Sequence, residues 1–168
     1  MKPGLRRFPG LALVVFLSWP DTSHYFAQGV ITDAPWTGTW SVAPSVTADS
    51  GFDNQTIRHI VHTSIGGTAA RLTFSNLFGS QPVIIADVHI AQRARGTRTM
   101  AGTDRPVTFE GQSYVTIPAG AAVQSDAVAF QVPALVDIAV SFHIPSQTPP
   151  GSTVHVDAWR TSTSRRAT

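Results

Sequence analysis

Hydrophobic and polar positions alternate most cleanly in residues 55–76. Ile57, His59, Val61 and Thr63 fall on one side of the first run, with Arg58, Ile60 and His62 on the other. After Ser64-Ile65-Gly66-Gly67 the alternation resumes, with Ala70, Leu72 and Phe74 opposite Arg71, Thr73 and Ser75. A side-chain period of two is the mark of a strand. Glycine accepts the positive φ that a short hairpin loop requires. The pattern therefore predicts strands over 55–63 and 69–76, joined as a β-hairpin.

The same period recurs downstream. Residues 82–91, Pro-Val-Ile-Ile-Ala-Asp-Val-His-Ile-Ala, form an almost unbroken apolar run, which predicts a strand buried on both sides. Residues 92–105 are polar and rich in Arg and Gly, and predict a mobile loop near the upper length for ordinary connections. Short strands are expected at 107–109 and 114–117 around a Glu110-Gly111-Gln112-Ser113 turn, followed by a Pro118-Ala119-Gly120 turn. Further strands are expected at 127–132 and 135–144, split by Pro133, and at 153–160. Residues 161–168 have no apolar pattern and are expected to fray as a disordered tail. Eight or nine strands with turn signals between them, and no amphipathic helix, predict an all-β fold, an antiparallel β-sandwich of jelly-roll type, over residues 36–160.

The N-terminus reads differently. Lys2, Arg6 and Arg7 precede an apolar run over 11–19, the layout of a secretory signal peptide ending near Ala27. That run is shorter than the roughly 20 residues a bilayer span takes. The expected location is extracellular or periplasmic, with no stable membrane span.

Composition narrows the options. The chain has 168 residues, 42% hydrophobic and 13% charged, with one lysine and no cysteine. Disulfides and thiolate metal sites are thereby excluded. The formal charge is +2, but the leader region holds three basic residues and one acidic residue of the 12 and 10 present. Residues 28–168 are thus balanced at nine of each, without the basic footprint that nucleic-acid binding needs. The clusters Arg93-Arg95-Arg98-Arg105 and Arg160-Arg165-Arg166 read as solvated loop and tail charge.

Candidate chemistry is sparse. Residues 36–41, Trp-Thr-Gly-Thr-Trp-Ser, read as a first strand, on which Trp36 and Trp40 share a face. They either cap the core or, with Trp159, form an aromatic platform for sugar binding. His62-Thr63-Ser64-Ile65-Gly66 approaches a nucleophile elbow but has His in place of the first Gly and lies in a turn rather than before a helix. His59 and His62 fall on opposite strand faces. Asp87 with His89, and His155 with Asp157, share faces and could each supply two metal ligands, while a calcium site using Asp49 and Asp53 stays open. The single glutamate, Glu110, leaves no carboxylate pair for glycoside hydrolysis. No cofactor is expected.

Several segments in order, Thr37-Gly38-Thr39-Trp40-Ser41-Val42-Ala43-Pro44, Thr56 to Gly67, Arg71 to Gly79, Val115 to Gly120 and Ser125 to Val128, resemble the N-terminal β-sandwich region of secreted bacterial SGNH-hydrolase (GDSL-type) esterases and lipases. The match runs from about Trp36 to about Trp159. In that family the sandwich precedes a flavodoxin-like catalytic domain with a Gly-Asp-Ser block and a late Asp-x-x-His pair. Gly-Asp-Ser does not occur in this sequence, and Asp87-Val88-His89 is one residue short of Asp-x-x-His. The family's catalytic residues therefore carry over to no position. The resemblance implies a non-catalytic accessory sandwich, truncated before its catalytic domain, whose partner is an SGNH domain. Two other readings remain: a stand-alone carbohydrate-binding module, and a small metal-assisted hydrolase built on the His/Asp pairs.

Overall fold

The computed structural model describes residues 36–46, 51–154 and 162–166. The chain divides into two units, Met1–Trp36 and Thr37–Thr168. The leader, Trp159, the His155/Asp157 pair and Asp49 lie outside the described residues. Among the described residues there is no helix and every strand pairing is antiparallel, which makes the fold an all-β, sandwich-like one.

Three long strands organise it: β2 (Gln55–His62), β5 (Val83–Arg95) and β11 (Asp137–Ile144). β11 lies between the other two, with Val140 opposite both His59 and Ile90. A strand flanked on both sides and covered on both faces buries nearly everything, and β11 is buried from Ile138 to Phe142. The far edge of β5 is taken in succession by β8 (Tyr114–Ile117), β7 (Arg105–Val107) and β6 (Arg98–Thr99). Two ribbons complete the fold, β3 (Gly67–Ala70) with β10 (Val128–Val132), and β4 (Thr73–Ser75) with β9 (Ala122–Gln124). A short pair, β1 (Ser45–Val46) with β12 (Thr153–Val154), stands apart from both. Ile57, Val61, Ile85, Val88, Ile90, Val140 and Phe142 from the large sheet share one core with Phe130 and Val132, against which Phe74 and Val123 of the β4–β9 ribbon pack. Phe74 meets Phe142 edge-on, with ring centroids 5.2 Å apart.

Six features differ from the sequence expectations. The predicted hairpin is not formed: β2 pairs with β11, whereas β3 pairs with β10 in a different sheet. The Gly66-Gly67 link is a crossover, and neither glycine has a positive φ. A Cβ on Gly66 would lie 2.9 Å from the Val132 carbonyl oxygen and 3.1 Å from the Ala134 nitrogen, so close backbone approach is what requires glycine. The predicted strand over 69–76 breaks at Arg71-Leu72, where the Leu72 carbonyl accepts from Ser125 N and Leu72 N donates to Ser125 Oγ.

Residues 92–105 are not one loop, although residues 100–104 remain outside the strands. β5 continues to Arg95, turns at Gly96 (φ +60°) and returns as β6, because strand pairing needs backbone groups rather than apolar side chains. Residues 36–44 form no strand, so the shared-face premise for Trp36 and Trp40 does not hold; β1 starts only at Ser45. Finally, β13 (Ser162–Arg166) within the expected tail pairs with β2, Ser162 opposite His59. An extended Ser/Thr segment saturates the edge of β2 without needing an apolar pattern.

β5 also carries a bulge. Asp87 has φ +48°, its N–H donates to the Ser113 carbonyl, and the inward phase moves from Val83 and Ile85 to Val88 and Ile90. Instead of the double-sided burial expected for residues 82–91, this leaves Ile84 on the exposed side.

Candidate functional site

Three neighbouring strands bring one row of charged side chains together. Asp137 opens β11 directly opposite His62, the last residue of β2. On the other side, Ile138 faces Gln92, which places Arg93 beside Asp137. One Asp137 oxygen, Oδ1, lies 2.8 Å from His62 Nδ1. The other, Oδ2, accepts from Arg93 Nη1, and Arg93 Nε donates to the Gly96 carbonyl at 2.6 Å. Since a carboxylate only accepts, the His62 contact puts a proton on Nδ1 and turns Nε2 outward.

This row edges a shallow, open depression of about 480 Å³, lined also by Ala94, Arg95, Leu135 and Val136. Leu135 holds an unusual position there: it is 71% exposed and has φ +56°. The cause is Thr63, which is fully buried. Its Oγ1 shares its one proton between the carbonyls of Pro133 (2.7 Å) and Val136 (3.0 Å), its N–H donates to the Val136 carbonyl, and its own carbonyl accepts from Leu135 N. The turn is clamped from beneath, and Leu135 is forced outward in a left-handed conformation. A large L-residue there carries about 1–2 kcal/mol of strain. Leu135→Asn, which tolerates that region and loses little buried surface, is expected to stabilise the protein by about 1 kcal/mol. A urea midpoint shifted upward checks this.

The sequence candidates are placed as follows. Ser64 Oγ donates to the Thr39 carbonyl at 2.8 Å, and its N–H donates to the same oxygen, so this serine is a turn anchor. Thr39 Oγ1 in turn accepts from Ile65 N and donates to the Ile65 carbonyl. His59 and His62 do lie apart: His59 stands edge-on to Phe142, whereas His62 meets Asp137. His89 pairs with Asp104 across 2.7 Å rather than with Asp87. Asp87 sits on the bulge, which removes it from the regular alternation that the sequence pairing assumed. Among the described residues no three His, Asp or Glu side chains gather to hold a metal. Trp36 and Trp40 are 47% and 39% exposed and belong to different units, and Trp159 lies outside the described residues.

The sequence singled out His62 as candidate chemistry, read Arg93 as solvated loop charge, and passed over Asp137. The available signal was a carboxylate at the head of an otherwise apolar strand. Among the described residues no helix is long and apolar enough to cross a membrane. A scan against protein-family models finds no match, and a search of curated proteins finds none either.

Proposed function

We propose that the chain is an exported, non-catalytic accessory β-sandwich of an SGNH-type (GDSL-type) ester hydrolase, and that its partner is the catalytic domain of such an enzyme. One observation supports this reading above others. The polar side chains in the segments that resemble the family are spent on the chain's own backbone. Thr63 clamps the 133–136 turn, and Ser64 anchors on Thr39. Asn76 gathers the carbonyls of Gln81, Ile117 and Pro118, and Ser125 binds Leu72 and Asp126. Residues so used specify a fold and are not poised to attack a substrate.

Asp126 belongs to the same set. The Phe109–Gln112 hairpin turns through Glu110 and Gly111, both at positive φ. Its exposed N–H groups donate to the Asp126 carboxylate, which also accepts from Thr108 Oγ1 at 2.6 Å. The Thr108 hydroxyl above all, then the Gly111 and Glu110 amides and the charge of Arg71, hold this carboxyl below the ordinary value, against the opposing effect of burial. A lowered folded-state pKa contributes stability above the unfolded-chain value and loses it as pH falls through the folded one. Asp126→Asn is therefore expected to reduce stability at neutral pH and to flatten its decline below about pH 4, the ordinary carboxyl range. Urea unfolding at a series of pH values reads both effects.

The functional test is turnover of p-nitrophenyl butyrate by the pure protein. No hydrolysis above buffer is expected. Turnover that co-purifies with the chain and is lost in Ser64→Ala would remove the proposal.

A further inference from the structure

Among the described residues that line the depression at the ends of β2, β5 and β11, positive charge exceeds negative. Asp137 is the single carboxylate among them, against Arg93 and Arg95. Both Asp137 oxygens are already engaged, by His62 and Arg93. Arg93 uses Nε and Nη1, which leaves Nη2 without a hydrogen bond among the described residues. The Arg95 side chain makes no hydrogen bond or ion pair among them either. Two arginines with donors to spare among the described residues therefore line one concavity.

Part of the lining is apolar. Leu135 and Val136, just before Asp137, supply it, and Leu135 is held there at a conformational cost by the Thr63 clamp. Strain maintained by a buried anchor, in order to present an apolar side chain beside unsatisfied cations, is the arrangement of a binding site. We infer that this depression binds an oxyanion carried on a short alkyl chain, a carboxylate or a phosphate monoester. The head group takes charge-assisted hydrogen bonds from Arg93 and Arg95, and the chain lies against Leu135 and Val136. This ligand preference does not depend on whether a hydrolase domain accompanies the sandwich.

The probes are octanoate, octyl phosphate, octanol and acetate, titrated calorimetrically into the full chain. Saturable one-to-one binding of octanoate or octyl phosphate is expected, and the tighter of the two identifies the head group. Arg95→Gln, which leaves every observed hydrogen bond in place, is expected to weaken binding about tenfold. Leu135→Asn is expected to weaken it about fivefold while raising stability, a combination that a merely structural leucine would not give. Octanol or acetate binding as tightly as octanoate, or octanoate affinity unchanged in Arg95→Gln, overturns the assignment. So does the absence of saturable binding by either amphiphile.

Discussion

Replacing Ile90 by alanine is expected to lower the unfolding free energy by about 4 kcal/mol. Ile90 is 0% exposed, near the middle of β5, with Val140 of β11 opposite on one side and Arg105 of β7 on the other. Paired along both edges, this part of β5 has little freedom to collapse into the vacated volume, so the cavity cost adds to the lost transfer energy. Ile90→Val, which removes one methylene, is expected to cost about 1 kcal/mol. Urea denaturation of the two variants, with an unchanged slope, checks the pair. A loss below 2 kcal/mol for the alanine variant would mean that β5 is not a central strand.

Asn76→Ala is expected to cost about 3 kcal/mol for a different reason. The side chain is 2% exposed, and its amide nitrogen reaches the carbonyls of Gln81 at 2.9 Å, Pro118 at 3.1 Å and Ile117 at 3.2 Å. The backbone of Asn76 adds to this, since its N–H donates to Ala121 and its carbonyl accepts from Gly79 and Gly120. One residue thus fastens the 76–81 loop to the 117–121 turn. Alanine leaves the three carbonyls without their shared donor, in a place water reaches poorly. Asp at the same position is expected to do at least as badly, because a carboxylate would face carbonyl oxygens. Gly79 supports the arrangement: a Cβ there would lie 1.8 Å from Asn76 Oδ1. Chemical denaturation of Asn76→Ala and Asn76→Asp gives the test, and a loss under 1 kcal/mol in both contradicts this role.

What the sequence revealed divides along a physical line. The existence of β2 was legible, because a period of two is a local property of the strand, but its burial does not follow one face: Ile57 and Val61 are buried, and so is Ile60 on the other side. Its partner was not, because β11 lies some eighty positions away and pairing at that range leaves no local mark. Gly66-Gly67 therefore read as a hairpin turn, although its glycine serves an approach to backbone at 132–134. The Arg-rich stretch after Gln92 and the Ser/Thr-rich end both lack apolar alternation, yet both form strands through main-chain bonds. Asp87 was read as an ordinary strand residue, although aspartate is depleted in strands and tolerates the left-handed conformation it adopts here.

The candidate site was legible only in part for the same reason. His62 was weighed as candidate chemistry and Arg93 read as solvated loop charge, and only the sheet register sets Asp137 between them. Leu135 looked like the start of an apolar strand, and its outward presentation follows from Thr63, seventy-two residues earlier in the chain. Function and fold are tied at this point. The Thr63 clamp on the 133–136 turn goes with the pairing of β2 to β11, and so with the crossover at Gly66-Gly67.

That crossover is directly measurable by interstrand nuclear Overhauser effects in a labelled sample. Cross-peaks from His59 and Val61 to Val140 and Ile138, in antiparallel register, are the expected result. A ladder of cross-peaks between Gln55–His62 and Gly67–Ala70 in hairpin register would contradict it.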